Sequence, residues 1–303
     1  MLAVKLQMLE LAAAIGCVDV LAELRDVRGC TGPDPRARVC DAAASHGQLE
    51  ALVWLHGRGF PWSASVYQSA ASAGHLEMMH YLHEHGCPWD KYTCARAAEG
   101  GHLEALRYAH EHGCPWDEQT CQFAVKRGCL EVLRYAHEQG CPWDRSRQIY
   151  CWIAAVIRGD FELLRYVHEQ GCPWDDSVCW MAARRGDLAM LRYAHEHGCP
   201  WDKQTCNEAA RQGHLEALRY AHEHGCAWDK LACWCAARGG HLELLRYAHE
   251  HGCPWDEDTC SWAAELGHLE VLRYAHEHGC PWNWRREPGT PHPPCIRAYV
   301  ATL

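Results

Sequence analysis

The residues best equipped for chemistry are cysteine and histidine, 21 and 23 of them in a chain of 303. They recur as His-x-His-x-Cys followed by a further Cys, as in His110, His112, Cys114 and Cys121. Imidazole and thiolate are preferred zinc ligands, and a structural zinc site needs four of them converging on one tetrahedral centre. Metal binding or thiol redox buffering is therefore the first chemistry to weigh. Geometry opposes it: on a helix His110 and His112 stand about 200° apart and cannot face one ion without unwinding the backbone. A disulfide scaffold fits no better, because the cysteine count is odd and a chain this long needs no covalent staples.

Spacing explains the cysteines and histidines in another way. Gly-Cys-Pro-Trp and its variants place Trp at 62, 89, 116, 143, 174, 201, 228, 255 and 282, at intervals of 27 broken once by 31. On that period 17 of the 21 cysteines and 20 of the 23 histidines fall in five fixed columns. A strict period of this kind marks a stacked array of repeats. Within one unit, Asp90 is placed to cap a first helix that stops at Gly101, and a second helix runs from about Leu103 to His112 and stops at Gly113, with Pro115 beyond. At about 100° per residue Cys94, Ala97, Ala98 and Gly101 share a narrow stripe of small residues, which permits close helix packing. On the second helix Glu104, Arg107 and Glu111 form a solvated stripe. Two such short helices cannot stand alone, so the units must stack. The expected fold is all-α, an α-solenoid of about ten helix-turn-helix units over residues 1–282, with a degenerate first unit at 1–29 acting as a cap and a Pro-rich tail at 283–303.

The stretch Cys-x-x-Ala-Ala-x-x-Gly-His-Leu-Glu-x-Leu-Arg-Tyr-Ala-His-Glu-His-Gly at Cys94–Gly113 resembles the core of the ankyrin repeat, and the resemblance covers residues about 1–282. It departs in two ways. The Thr-Pro-Leu-His opening is replaced by x-Thr-Cys-x, and the unit has 27 residues against about 33 in the family. The family's β-hairpin finger is thus expected to shrink to Cys-Pro-Trp-Asp. This short form resembles ankyrin-type proteins of large DNA viruses and protists, which implies an intracellular, non-catalytic interaction role. The Cys columns then sit at small or apolar core positions, where reduced Cys acts as a small hydrophobe. The Gly-His pair, as in Gly101-His102, is expected to bond loop backbone, and the Pro-Trp rings to plug the joints with the indole N–H on a carbonyl.

Nothing outside the repeat looks catalytic: there is no nucleophile elbow, phosphate-cradling loop, HExxH or paired carboxylate. No cofactor or metal is expected. The net charge of −10 gives no footprint for nucleic acid or an anionic membrane, and no run of apolar residues is long enough to span a bilayer. Lys5 and the Ala14-Ile15-Gly16-Cys17 stretch faintly resemble a lipoprotein signal, but Glu10 interrupts the apolar run, and Leu9, Ala12, Ala13 and Gly16 fall in the repeat register. A monomer with a protein partner is the reading.

The variable positions carry that partner. The two positions after the first-helix Cys read Ala95-Arg96, Gln122-Phe123, Trp152-Ile153, Trp180-Met181, Asn207-Glu208, Trp234-Cys235 and Ser261-Trp262. They lie opposite the small-residue stripe, where interfaces favour aromatics. Arg96, Phe123, Trp152, Trp180, Met181, Trp234 and Trp262 are therefore candidate contact residues, the alternative being that they pack against neighbouring units. The 31-residue interval adds Arg145, Arg147 and Tyr150, in an insertion that is either a contact loop or a harmless bulge. The tail reads as a linker with a short apolar turn at Ile296–Leu303 covering the last unit.

Overall fold

A computed structural model describes residues 2–23, 35–143, 149–282 and 293–303. It contains 21 helices and no strand among the described residues. The chain divides into two compact units, residues 1–154 and 155–303.

In unit 1 the first helices of successive repeats are α1 (Leu2–Ile15), α3 (Pro35–Ser45), α5 (Ala64–Ala73), α7 (Lys91–Gly100) and α9 (Glu118–Arg127). Each packs on the next in line. The second helices are α2 (Val18–Glu23), α4 (Leu49–Gly57), α6 (Leu76–Glu84), α8 (Leu103–Glu111) and α10 (Leu130–Glu138). The helix α11 (Ile149–Arg158) opens the irregular repeat. Unit 2 continues with α12 (Phe161–Glu169) and the pairs α13 (Ser177–Arg185) with α14 (Leu188–Glu196) and α15 (Lys203–Gln212) with α16 (Leu215–Glu223). It ends with α17 (Lys230–Gly239) and α18 (Leu242–Glu250), α19 (Glu257–Leu266) and α20 (Leu269–Glu277), and the tail helix α21 (Pro294–Val300).

Local chemistry sets these boundaries. The Asp90 carboxylate accepts from the Tyr92 amide, 3.0 Å, and the same bond recurs from Asp117, Asp202, Asp229 and Asp256. Each bond satisfies an amide that the first turn leaves free. At the far end Gly240 adopts φ 75°, and a Cβ there would lie 2.7 Å from the His268 ring of the next repeat. Backbone and neighbour both demand glycine there. The small stripe is buried as expected: Cys94, Ala97 and Ala98 in α7 and Cys233, Ala236 and Ala237 in α17 are fully covered, against second-helix leucines such as Leu106, Leu218 and Leu245.

The two ends differ in finish. α1 leaves Val4, Met8, Leu11 and Ile15 exposed along one side. At the other end α21 packs on α20, buries Ile296, and places the Tyr299 hydroxyl 3.0 Å from His276 Nδ1. In the four preceding repeats a second-helix Tyr makes that bond, so α21 supplies what a further repeat would have supplied.

Candidate functional site

The cysteine and histidine columns are occupied with framework bonds. Joint cysteines point their thiols at a carbonyl at the start of the preceding first helix, as in Cys114 to Asp90, 3.3 Å, Cys226 to Asp202, 3.1 Å, and Cys280 to Asp256, 3.1 Å. The first-helix cysteines Cys94, Cys179, Cys233 and Cys260 turn their thiols toward the joint cysteines' carbonyls, and Cys206 meets the side chain of Cys226. Contact with the joint cysteine, reinforced by burial, holds these five well above the ordinary thiol range. A thiol held protonated is a poor nucleophile and a poor metal ligand. No disulfide joins the described cysteines, and among the described residues no three His, Cys, Asp or Glu could share a metal ion.

The histidines divide into three structural jobs. His195 stacks on Trp201 with ring centroids 3.8 Å apart and meets the Tyr220 hydroxyl of the next repeat at 3.0 Å. His222 with Trp228 and Tyr247, and His249 with Trp255 and Tyr274, repeat the arrangement. His197, His224 and His251 each donate Nδ1–H to the Tyr carbonyl four residues back, 2.8 Å, closing the second helix. His241 and His268, after the first-helix glycine, meet the carbonyls of Arg211 and Arg238 in the preceding repeat at 3.3 and 3.1 Å. Where Asp stands in place of this His, a capping job falls to the Asp, and at Gly186-Asp187 the bond to the preceding repeat's carbonyl passes to an arginine. Asp160 and Asp187 cap the second helix, and Arg185 reaches the Ile157 carbonyl. The Pro-Trp rings are half-buried and mostly stacked on His, a correction to the buried plugs expected from sequence; the expected indole bond is found at Trp174, which donates to the His197 carbonyl, 3.1 Å.

The variable strip on the first helices is where the repeats differ. In unit 2 Trp180, Met181, Trp234 and Trp262 are all half-exposed. Trp234 and Trp262 meet edge to face, 5.8 Å between centroids, and the Arg238 guanidinium lies over both, 5.4 and 5.1 Å away. Between Trp180 and Trp234 in the register sit Asn207 and Glu208, and Glu208 is only 6% exposed. Its carboxylate is held by Arg211 at 2.9 Å and faces Arg184 at 3.9 Å. In unit 1 the positions around α5 are small or polar, and no Trp stands on the strip. Ser45, Gln68, Ser69, Ser72 and Arg96 line a depression of about 450 Å³, with Phe123 half-buried further along.

Trp152 does not belong to this strip. It is 1% exposed and, with Tyr67, heads the fully buried side chains by volume. The reason is register. Counting back from the glycine that stops each first helix, Trp152 from Gly159 and Tyr67 from Gly74 fall at the position Cys holds in the other repeats. The helix stop fixes which face turns inward, so the extra residue beyond Cys151 rotates Trp152 into the core. Arg145 and Arg147 lie outside the described residues, as does the side chain of Tyr150.

Counting from that glycine also reveals residues that the cysteine-based register overlooked. Arg184, Arg211 and Arg238 occupy one column, two before the stop, in three consecutive repeats. Their 27-residue spacing was the available signal.

Residues 40–83 match the family model described as ankyrin repeats (many copies). No curated protein matches the chain. Ankyrin repeats are generally protein-interaction scaffolds and typically non-enzymatic, and no helix among the described residues is long and apolar enough to cross a membrane. The matched segment spans α3 to α6, and its pairing of a small-striped first helix with a leucine-rich second helix recurs through both units: the chain contains ankyrin repeats at residues 40–83 and is built throughout from stacked helix pairs of that kind.

Proposed function

We propose that the protein is a non-catalytic scaffold that holds a protein partner on the first-helix strip of unit 2, with Trp180, Met181, Trp234 and Trp262 as anchors. The observation that carries this reading is the half-exposed Trp234–Trp262 pair under Arg238, at positions the repeat framework leaves free to vary. Tryptophan and arginine are the side chains that most often dominate interface energetics. Rings already packed against each other lose little freedom on binding, so most of the contact energy is available to the complex. Arg96 and Phe123 hold the corresponding register positions in unit 1 and form a separate, secondary contact region there. Thiols that donate to backbone carbonyls throughout the joints suit a reducing, intracellular setting.

The test is proximity labelling in the native cell with the wild-type chain and with a Trp180→Ala/Trp234→Ala/Trp262→Ala variant. The variant is expected to lose the principal labelled partner while its melting temperature stays close to wild type. A partner retained in full by a folded variant removes the reading.

A further inference from the structure

The strip that the proposed function uses carries a charge pattern opposite to that of the chain as a whole. The protein has a net charge of −10, yet Arg184, Arg211 and Arg238 stand exposed in one column of three consecutive repeats, opposed there by one buried carboxylate, Glu208. Helix-end electrostatics alone do not require them. Cations favour a helix C-terminus, but the equivalent position is Ser72 in α5, Glu99 in α7 and Glu265 in α19, and those helices form equally well. The three guanidinium groups are also held in place from below. Glu208 lies between the first two, and the Trp234 and Trp262 rings carry the third. Side chains of Arg184 and Arg211 nevertheless remain 59% and 45% exposed.

We infer that this ladder recognises an acidic segment of the protein partner, extended in a polyproline II conformation, with a carboxylate at every third residue and apolar side chains against the tryptophans. The spacing supports that conformation. Packed helices stand about 8–10 Å apart, so one arginine follows the next at about that distance. A polyproline II chain has three residues per turn and rises about 3.1 Å per residue, which returns a side chain to the same face every ~9 Å. A β-strand turns positions i and i+3 to opposite faces and could not present the same series. The inference rests on the proposed use of this strip and narrows it to one chemistry.

Fluorescence anisotropy with the full chain tests it, using a labelled peptide of repeated Glu-Pro-Leu. Binding is expected, weakening as salt rises. Peptides of repeated Gln-Pro-Leu and Lys-Pro-Leu should bind at least about tenfold more weakly, and Arg184→Gln/Arg238→Gln should weaken the Glu-Pro-Leu complex by about tenfold. Arg211 is left in place because it holds the buried Glu208. The peptide exchange poses the same question with the protein unaltered, should the double variant fold poorly. Equal binding of the glutamate and lysine peptides, or tighter binding of single-stranded RNA than of Glu-Pro-Leu, overturns the inference. If the tryptophan variant loses its cellular partner while Glu-Pro-Leu fails to bind the wild-type chain, the acidic-segment inference falls and the strip reading stands. If the tryptophan variant keeps its partner, the strip reading falls with it.

Discussion

The first-helix strips of the two units occupy the same register on the same framework and look nothing alike. In unit 1 the positions around α5 and α7 are Gln68, Ser69, Ser72, Ala95 and Arg96, and they leave a polar depression. In unit 2 they become Trp180, Met181 and Arg184, then Asn207, Glu208 and Arg211, then Trp234, Cys235 and Arg238. Beneath both strips the same inward stripe is buried and the left-handed stop glycine recurs, as in Cys94, Ala97, Ala98 and Gly101 in unit 1 and Cys233, Ala236, Ala237 and Gly240 in unit 2. The framework thus tolerates serine and tryptophan alike on the strip, which is why the strip, and not the ladders of Cys and His, can be specialised for binding.

The largest effect should come from removing a side chain that resembles the strip by type but belongs to the framework. Trp152→Ala is expected to destabilise the fold by about 3–5 kcal/mol through lost burial and a residual cavity, read as a lower urea midpoint. An unchanged midpoint would return Trp152 to the strip. Next in size is the buried carboxylate. Arg211→Gln removes its closest partner and should cost about 1–2 kcal/mol, whereas Arg219→Gln, whose ion pairs are with exposed Glu216 and Glu223 and whose guanidinium lies loosely over the Tyr247 ring, should cost under about 1 kcal/mol. Similar losses for the two variants would contradict the burial of Glu208.

The joint histidines provide a pH test that separates the units. Burial, and then a facing second histidine, lowers the pKa of His56 in unit 1 and of His168, His195, His222 and His249 in unit 2 below the ordinary 6.5. A group with a lowered folded pKa binds fewer protons in the folded than in the unfolded state, so its stabilising contribution is present above about 6.5 and is lost as the pH falls below that value. Hydrogen exchange at pH 5.5 should therefore show weaker protection than at pH 7.5, with the greater loss in unit 2, which holds four of these five groups. Equal loss in the two units would break the assignment. Among the strip residues the effect should be small: Trp180→Ala, partly exposed on the tolerant side, is expected to shift stability by less than about 1 kcal/mol by thermal melting.

Much of this was legible without coordinates because it is local. Asp90 as a cap, Gly101 and Gly113 as stops, and the inward stripe of Cys94, Ala97 and Ala98 each follow from a few neighbouring residues. The site was read less completely. Trp180, Met181, Trp234 and Trp262 could be singled out by their variability, but the arginine column was missed because each repeat was aligned on its cysteine. That alignment also failed where the repeat is longest, since the stop glycine and not the cysteine sets the rotation of α11. The stacking of His on Trp was not legible either: it brings a residue near the end of the second helix onto the Pro-Trp joint that follows, as with His195 on Trp201.

The sequence alone determined the period, the helix ends and the class of fold, because capping, stop signals and helical periodicity act within a few residues of chain. It also determined that the abundance of Cys and His reflects repetition. Only the tertiary structure decided which variable side chains sink and which stay in water: Trp152 and Glu208 are buried, while Trp234 and Arg184 remain accessible. For Trp152 the stop glycine of its own repeat sets the inward face, but the burial of Glu208 and the pairing of Trp234 with Trp262 depend on how neighbouring repeats lie against each other, which no single repeat carries.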